Sequence, residues 1–178
     1  MENIPNDFLE YVEKNFGSDA AIGVEFKIYR GNELIDVVGP DSPKIDDPKL
    51  DVISCMPDGK SAIICTNYAY HVGNKVSEDL GLPTQIVGFA NEDNPEALAV
   101  IEDWHPGGHD FAIVAERYLV DPWARLVCGS RKKIVYDLEN EEDKTEAFAI
   151  YGTPEKWENI GEVTPPIKSF EQPESVFS

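Results

Sequence analysis

Basic residues are scarce in this 178-residue chain: 15 Lys and Arg stand against 34 Asp and Glu, a formal net charge of −19. Such a chain repels a phosphate backbone or an anionic lipid surface, so neither nucleic acid nor membrane is an expected partner. Cysteine is scarce as well. Cys55, Cys65 and Cys128 form an odd set without a CxxC pair, which excludes a disulfide framework and a zinc ribbon and makes folding in a reducing compartment the expectation. Long apolar runs are missing: no segment approaches the roughly 20 residues of a membrane-spanning helix. The opening MENIPNDFLEYVEKNFG is mixed and acidic, with no basic stretch followed by an apolar one. A cytoplasmic location is therefore expected, or export by a specialised secretion system without a cleaved signal peptide. Internal repeats are lacking too, and Gly107-Gly108 has neither the third glycine nor the following helix of a dinucleotide site.

Apolar material is ample, at 42% hydrophobic residues with eight Phe, seven Tyr and three Trp, enough for the core of a single domain. That domain is expected over residues 1–163, followed by a Pro-rich extended tail over 164–178. Asp7 can cap a short helix with Phe8, Leu9, Val12 and Phe16 at helical spacing and Gly17 as its stop. IGVEFKIYR and ELIDVVG, separated by Gly31 and Asn32, read as a hairpin. SAIICTNYAYHVGNKVSEDLG has a helical pattern, with Ser61 as N-cap, Ile64, Tyr68, His71 or Val72, and Val76 on one face, and Gly81 beyond the end. TQIVGFA reads as a strand, and Asn94-Pro95 as the start of a short helix through EALAVIEDW, with a strand as the competing reading. RKKIVYD reads as a strand, ENEEDK as a solvated turn, and AFAIYG as a last strand or a short helix.

The stretch GGHDFAIVAERYLVDPW puts a histidine at the head of one apolar run and an aspartate at the tail of the next. Side chains directly across an antiparallel pair share a face when the loop has an odd number of residues. AERY offers no Asn-Gly or Asp-Gly turn, which favours a loop of three or five residues; taken as three, it covers Val114, Ala115 and Glu116. His109 then opposes Asp121, with Cβ atoms roughly 5 Å apart. A carboxylate there fixes the imidazole tautomer and leaves the other ring nitrogen to act as a base. The candidate nucleophile is Cys65, near a helix start, where the dipole and an adjacent imidazolium both favour the thiolate.

A cysteine at a helix start, a histidine opening a strand and an aspartate ending the next resemble the papain-like cysteine hydrolase superfamily. The likeness is to its compact bacterial members, among them effector peptidases, papain-fold toxin domains and glutamine deamidases. The matching pieces are Cys65 with TNYA behind it, GGHDFAIV around His109 and YLVDPW around Asp121, spanning roughly residues 61–123. The resemblance implies an α+β fold, papain-like, in which the nucleophile-bearing helix packs on an antiparallel sheet. It also implies a Cys65–His109–Asp121 triad with Trp123 shielding the His–Asp bond. The chain departs from the pattern at the oxyanion hole, because Pro57, Asp58, Gly59, Lys60 and Ser61 stand where such enzymes often have a glutamine. Ser61, Asn67 or a backbone donor is left for that role, and Gly108 for close passage of a substrate chain.

The chemistry expected is thiol-dependent hydrolysis of a protein substrate, by a cysteine protease or a glutamine deamidase of effector or toxin type. It requires neither metal nor organic cofactor. HPGGH could contribute His105 and His109 to a metal site with Cys65 or Asp110, but its PGG insert prevents helical presentation of the pair. His71 is a second candidate base, pointed along the helix instead of over the sulfur. Cys55 and Cys128 read as structural. The alternative is a non-enzymatic acidic binding protein, of immunity or adaptor type, whose charge masks a basic protein partner.

Overall fold

The computed structural model describes residues 7–18, 26–30, 33–38, 65–104, 107–128 and 133–165, with backbone alone for 26–30, 33–38, Asn67 and Val127. The N-cap expected at Ser61, together with Ile64, Cys55, His105 and most of the Pro-rich tail, lies outside these residues.

Helix α1, Phe8–Phe16, buries Phe8, Val12 and Phe16, one residue per turn of a single stripe, and ends at Gly17. Leu9 falls off that stripe and is exposed, and the Asp7 side chain makes no cap hydrogen bond, both contrary to expectation. The Phe8 ring meets Tyr118 at 4.4 Å and Phe16 meets His71 at 5.6 Å, so α1 bridges two later elements. Strands β1, Phe26–Arg30, and β2, Glu33–Val38, form the expected hairpin as a separate two-stranded sheet.

Helix α2, Asn67–Leu80, is entered through a wider, π-wound turn at Cys65 and Thr66. Tyr68, Val72 and Val76 are buried on one face. Gly81 closes the helix in the left-handed region at φ 68°, where a glycine is needed, and returns its N–H to Ser77. The sheet beneath has strand order β6-β5-β4-β3-β7, antiparallel at every pairing. Its members are β3 (Thr84–Ala90), β4 (Gly108–Val114), β5 (Tyr118–Val120), β6 (Val135–Asp137) and β7 (Glu158–Val163). The molecule is therefore α+β, with helices packed on a five-stranded antiparallel sheet.

Strand β4 is buried at every residue, which is why GHDFAIV shows no polar alternation. Helix α2 packs on β3, β4 and β7. The short helix α3, Leu98–Ile101, packs against α4, Glu141–Tyr151, and α4 packs on β6. Side chains of β4 alternate accordingly, Asp110 meeting Thr66 ahead of α2 and His109 meeting Tyr151 of α4.

Two readings of the C-terminal half are corrected. ENEEDK is the first turn of α4, capped by Asn140 Oδ1, which accepts from the Asp143 N–H at 3.0 Å, so ENEEDK and AFAIY form one helix. Glu158–Val163, unassigned from sequence, is the edge strand β7; an edge strand half in water needs no apolar pattern.

Candidate active site

His109 is the second residue of β4 and Asp121 the first residue after β5. The hairpin between them turns through Ala115, Glu116 and Arg117, with Val114 opposite Tyr118 and Ile113 opposite Leu119. The loop expected over Val114, Ala115 and Glu116 is thus displaced by one residue, and the register by two. An even displacement preserves the face. His109 and Asp121 are diagonal neighbours instead of direct opposites, and His109 Nε2 lies 2.7 Å from Asp121 Oδ2 with both side chains buried. The Asp121 backbone is fixed by its N–H, which donates to Ile134 O at 2.8 Å.

The same carboxylate oxygen has a second donor, absent from the sequence reading: Tyr151 Oη donates to Asp121 Oδ2 at 2.8 Å. Aromatic rings enclose the imidazole. Trp123 lies 4.9 Å away, Trp104 meets it edge-on at 5.7 Å and Phe111 is stacked at 5.9 Å, so water is kept from the His–Asp bond. Burial alone would lower the His109 pKa, but the charge and hydrogen bond of Asp121, with the Cys65 thiol, outweigh it and push it up to about 10. The imidazolium is the favoured form at neutral pH.

Cys65 is buried at the start of α2, and its thiol adds to the larger effect of Asp121 in raising the His109 pKa. No hydrogen bond of ordinary geometry reaches His109 Nδ1 among the described residues. Catalytic pairs without substrate are often longer than hydrogen-bond distance. With Nε2 taken by Asp121, Nδ1 is the ring nitrogen left for another partner. Beside the cysteine, Thr66 Oγ1 is 3.9 Å from Sγ and donates to Asp110 Oδ2 at 2.5 Å. Consecutive residues of β4 therefore reach opposite sides, His109 to Asp121 and Tyr151, Asp110 to the turn that carries the cysteine.

Of the remaining sequence candidates, Gly108 is buried and opposes Ala90, while its neighbour Gly107 has the left-handed φ of 93° that requires glycine. Asn67 opens α2 with its side chain undescribed, and Ser61 lies outside the described residues, so no oxyanion donor is assigned by geometry. His71 is half-buried against Phe16, its pKa lowered to about 4 by burial and by Lys75. Among the described residues no three His, Cys, Asp or Glu side chains are grouped to hold a metal ion. No helix there is long and apolar enough to cross a membrane. Comparison with known protein families, with curated proteins and with solved structures gives no match.

Proposed function

We propose that the protein is a thiol-dependent hydrolase of papain-like type acting on an amide of a protein substrate. One observation supports this above the others: a buried histidine locked by one ring nitrogen to a buried aspartate at 2.7 Å, with a buried cysteine beside the ring. In this reading Cys65 and His109 rest as a thiolate–imidazolium pair, the thiol proton having passed to His109 Nδ1, and the thiolate attacks the carbonyl carbon. The His109 imidazolium then protonates the leaving amine, and a thioester forms between Cys65 and the acyl group. Water, deprotonated by His109, attacks the thioester and releases the acid and the free thiol. Asp121 holds the ring in the tautomer with its proton on Nε2 and stabilises the cation. The start of α2 favours negative charge at Cys65 through the helix dipole. The acyl group is either a peptide carbonyl, cleaved by a protease, or a glutamine side chain, hydrolysed by a deamidase.

The test is the pH dependence of iodoacetamide labelling of Cys55, Cys65 and Cys128, read by mass spectrometry in the wild type and in His109→Ala. A site that admits a substrate amide admits this small reagent. Cys65 is expected to label fastest at pH 6 and to lose on the order of tenfold or more of that rate without His109. An inert Cys65, or equal labelling in both proteins, removes the nucleophile. The net charge of −19 would then favour the second reading, an acidic binding protein that covers a basic partner.

A further inference from the structure

Two hydrogen-bond donors converge on one carboxylate oxygen, His109 Nε2 at 2.7 Å and Tyr151 Oη at 2.8 Å from Asp121 Oδ2. The phenol is held in place independently of that bond. The Tyr151 carbonyl, at the C-terminal end of α4, accepts from Asn94 Nδ2 at 2.9 Å and from Trp157 Nε1 at 2.8 Å. Its ring lies nearly parallel to the imidazole, at 17° and 6.0 Å, and packs on Phe111 at 4.7 Å. Asn94 is itself a buried polar residue with this carbonyl as partner, and the positive-φ Gly152 next to it leaves the space Asn94 occupies.

We infer that Tyr151 is a positioning residue for the His109–Asp121 pair, resting on the reading of Cys65, His109 and Asp121 as a thiol hydrolase. The second donor fixes the rotation of the carboxylate. It also draws electron density from Oδ2, so the proton stays on Nε2 without being held too tightly for the imidazolium to act as an acid. Among the described residues, the titratable groups that face His109 are Asp121 from the end of β5, Cys65 from the start of α2 and Tyr151 from α4; Asp110 is turned to the opposite face of β4. Without the phenol, Oδ2 has one donor fewer and binds the imidazolium proton more strongly.

The experiment is proton NMR of the His109 Nε2–H in the wild type and in Tyr151→Phe, which deletes one oxygen and keeps the ring. The resonance is expected to move downfield at pH 7, and the His109 titration midpoint to rise by roughly 0.5–1 unit, the equivalent of one neutral hydrogen bond. In an Asp121→Asn background the Tyr151→Phe change should shift neither signal, since Tyr151 acts through that carboxylate. If Tyr151→Phe does not fold, 3-fluorotyrosine at all seven tyrosines makes a stronger donor, and the Nε2–H resonance should move upfield. An unchanged signal in the variant that folds, or a shift that persists in the Asp121→Asn background, makes Tyr151 mere packing. Cys65 labelling is followed in the same samples. A responsive His109 with an inert Cys65 overturns the hydrolase reading alone, and a reactive Cys65 with an unresponsive His109 overturns the Tyr151 inference alone.

Discussion

Gly88 sits across from Asp110 in the β3–β4 pairing, and a β-carbon there would collide with the Asp110 carboxylate and crowd the His109 carbonyl at 2.8 Å. The absent side chain thus makes room for the buried carboxylate that receives the Thr66 hydroxyl beside Cys65. Gly88→Ala is expected to cost about 1–3 kcal/mol, the usual penalty for overfilling a packed core, read as a lower denaturant midpoint at unchanged m-value. Cys65 labelling at pH 6 should slow in the same variant, because the displaced carboxylate releases the cysteine's turn; a stable protein with unchanged labelling would refute the linkage. At this scale the sequence exposed part of the site. His109 and Asp121 were legible because strand parity survives an even slip of register. Tyr151, Thr66 and Asp110 were not, since their bonds join positions 30 and 44 residues apart and no local pattern encodes such pairs.

Between β4 and β5 the chain turns through two non-glycine residues at positive φ, Ala115 at 53° and Glu116 at 56°, with the Arg117 N–H returning to Val114 O at 2.9 Å. Each such residue costs roughly 1 kcal/mol relative to glycine, which adopts this conformation freely. Glu116 is exposed, so Glu116→Gly should stabilise the protein by about 0.5 kcal/mol at most once the added freedom of the unfolded chain is subtracted from the strain removed, checked by equilibrium denaturation. A lower midpoint would mean that the Glu116 side chain contributes more than the strain removes. This turn also explains the misplaced loop: glycine and asparagine mark positive φ in sequence, whereas Ala and Glu there give no sign of it. The N-terminal helix, the first hairpin, α2 and strands β3 to β6 were legible from periodicity and stop signals. Helix α4 was obscured because its acidic first turn resembles a solvated loop, although Asn140 followed by Glu141, Glu142 and Asp143 is also a helix-start signal. Strand β7 was obscured by its position at the sheet edge, where water replaces the apolar neighbour that would have marked it.

Across the whole molecule, two described histidines perturbed in opposite directions make stability depend on pH on both the acid and the alkaline side. His71 is kept neutral by burial and by Lys75, with its pKa lowered from 6.5 to about 4. The unfolded chain binds that proton more readily, so this group's contribution is complete above pH 6.5 and is lost as the pH falls toward 4. His109 behaves in the reverse sense: raised from 6.5 to about 10, it contributes fully below pH 6.5, and the contribution is lost as the pH rises toward 10. A background acts on both limbs, because the net charge of −19 at pH 7 repels itself, and that repulsion weakens as carboxylates take up protons. Comparing each variant with the wild type at the same pH and salt cancels most of that background. His71→Phe should gain melting temperature relative to wild type as the pH is lowered from 6.5 to 4, and His109→Gln should recover relative to wild type as the pH is raised from 6.5 to 10. Differences that stay constant across both windows would mean that neither histidine changes its proton affinity on folding, and would remove the charged imidazole on which the His109–Asp121 pair depends.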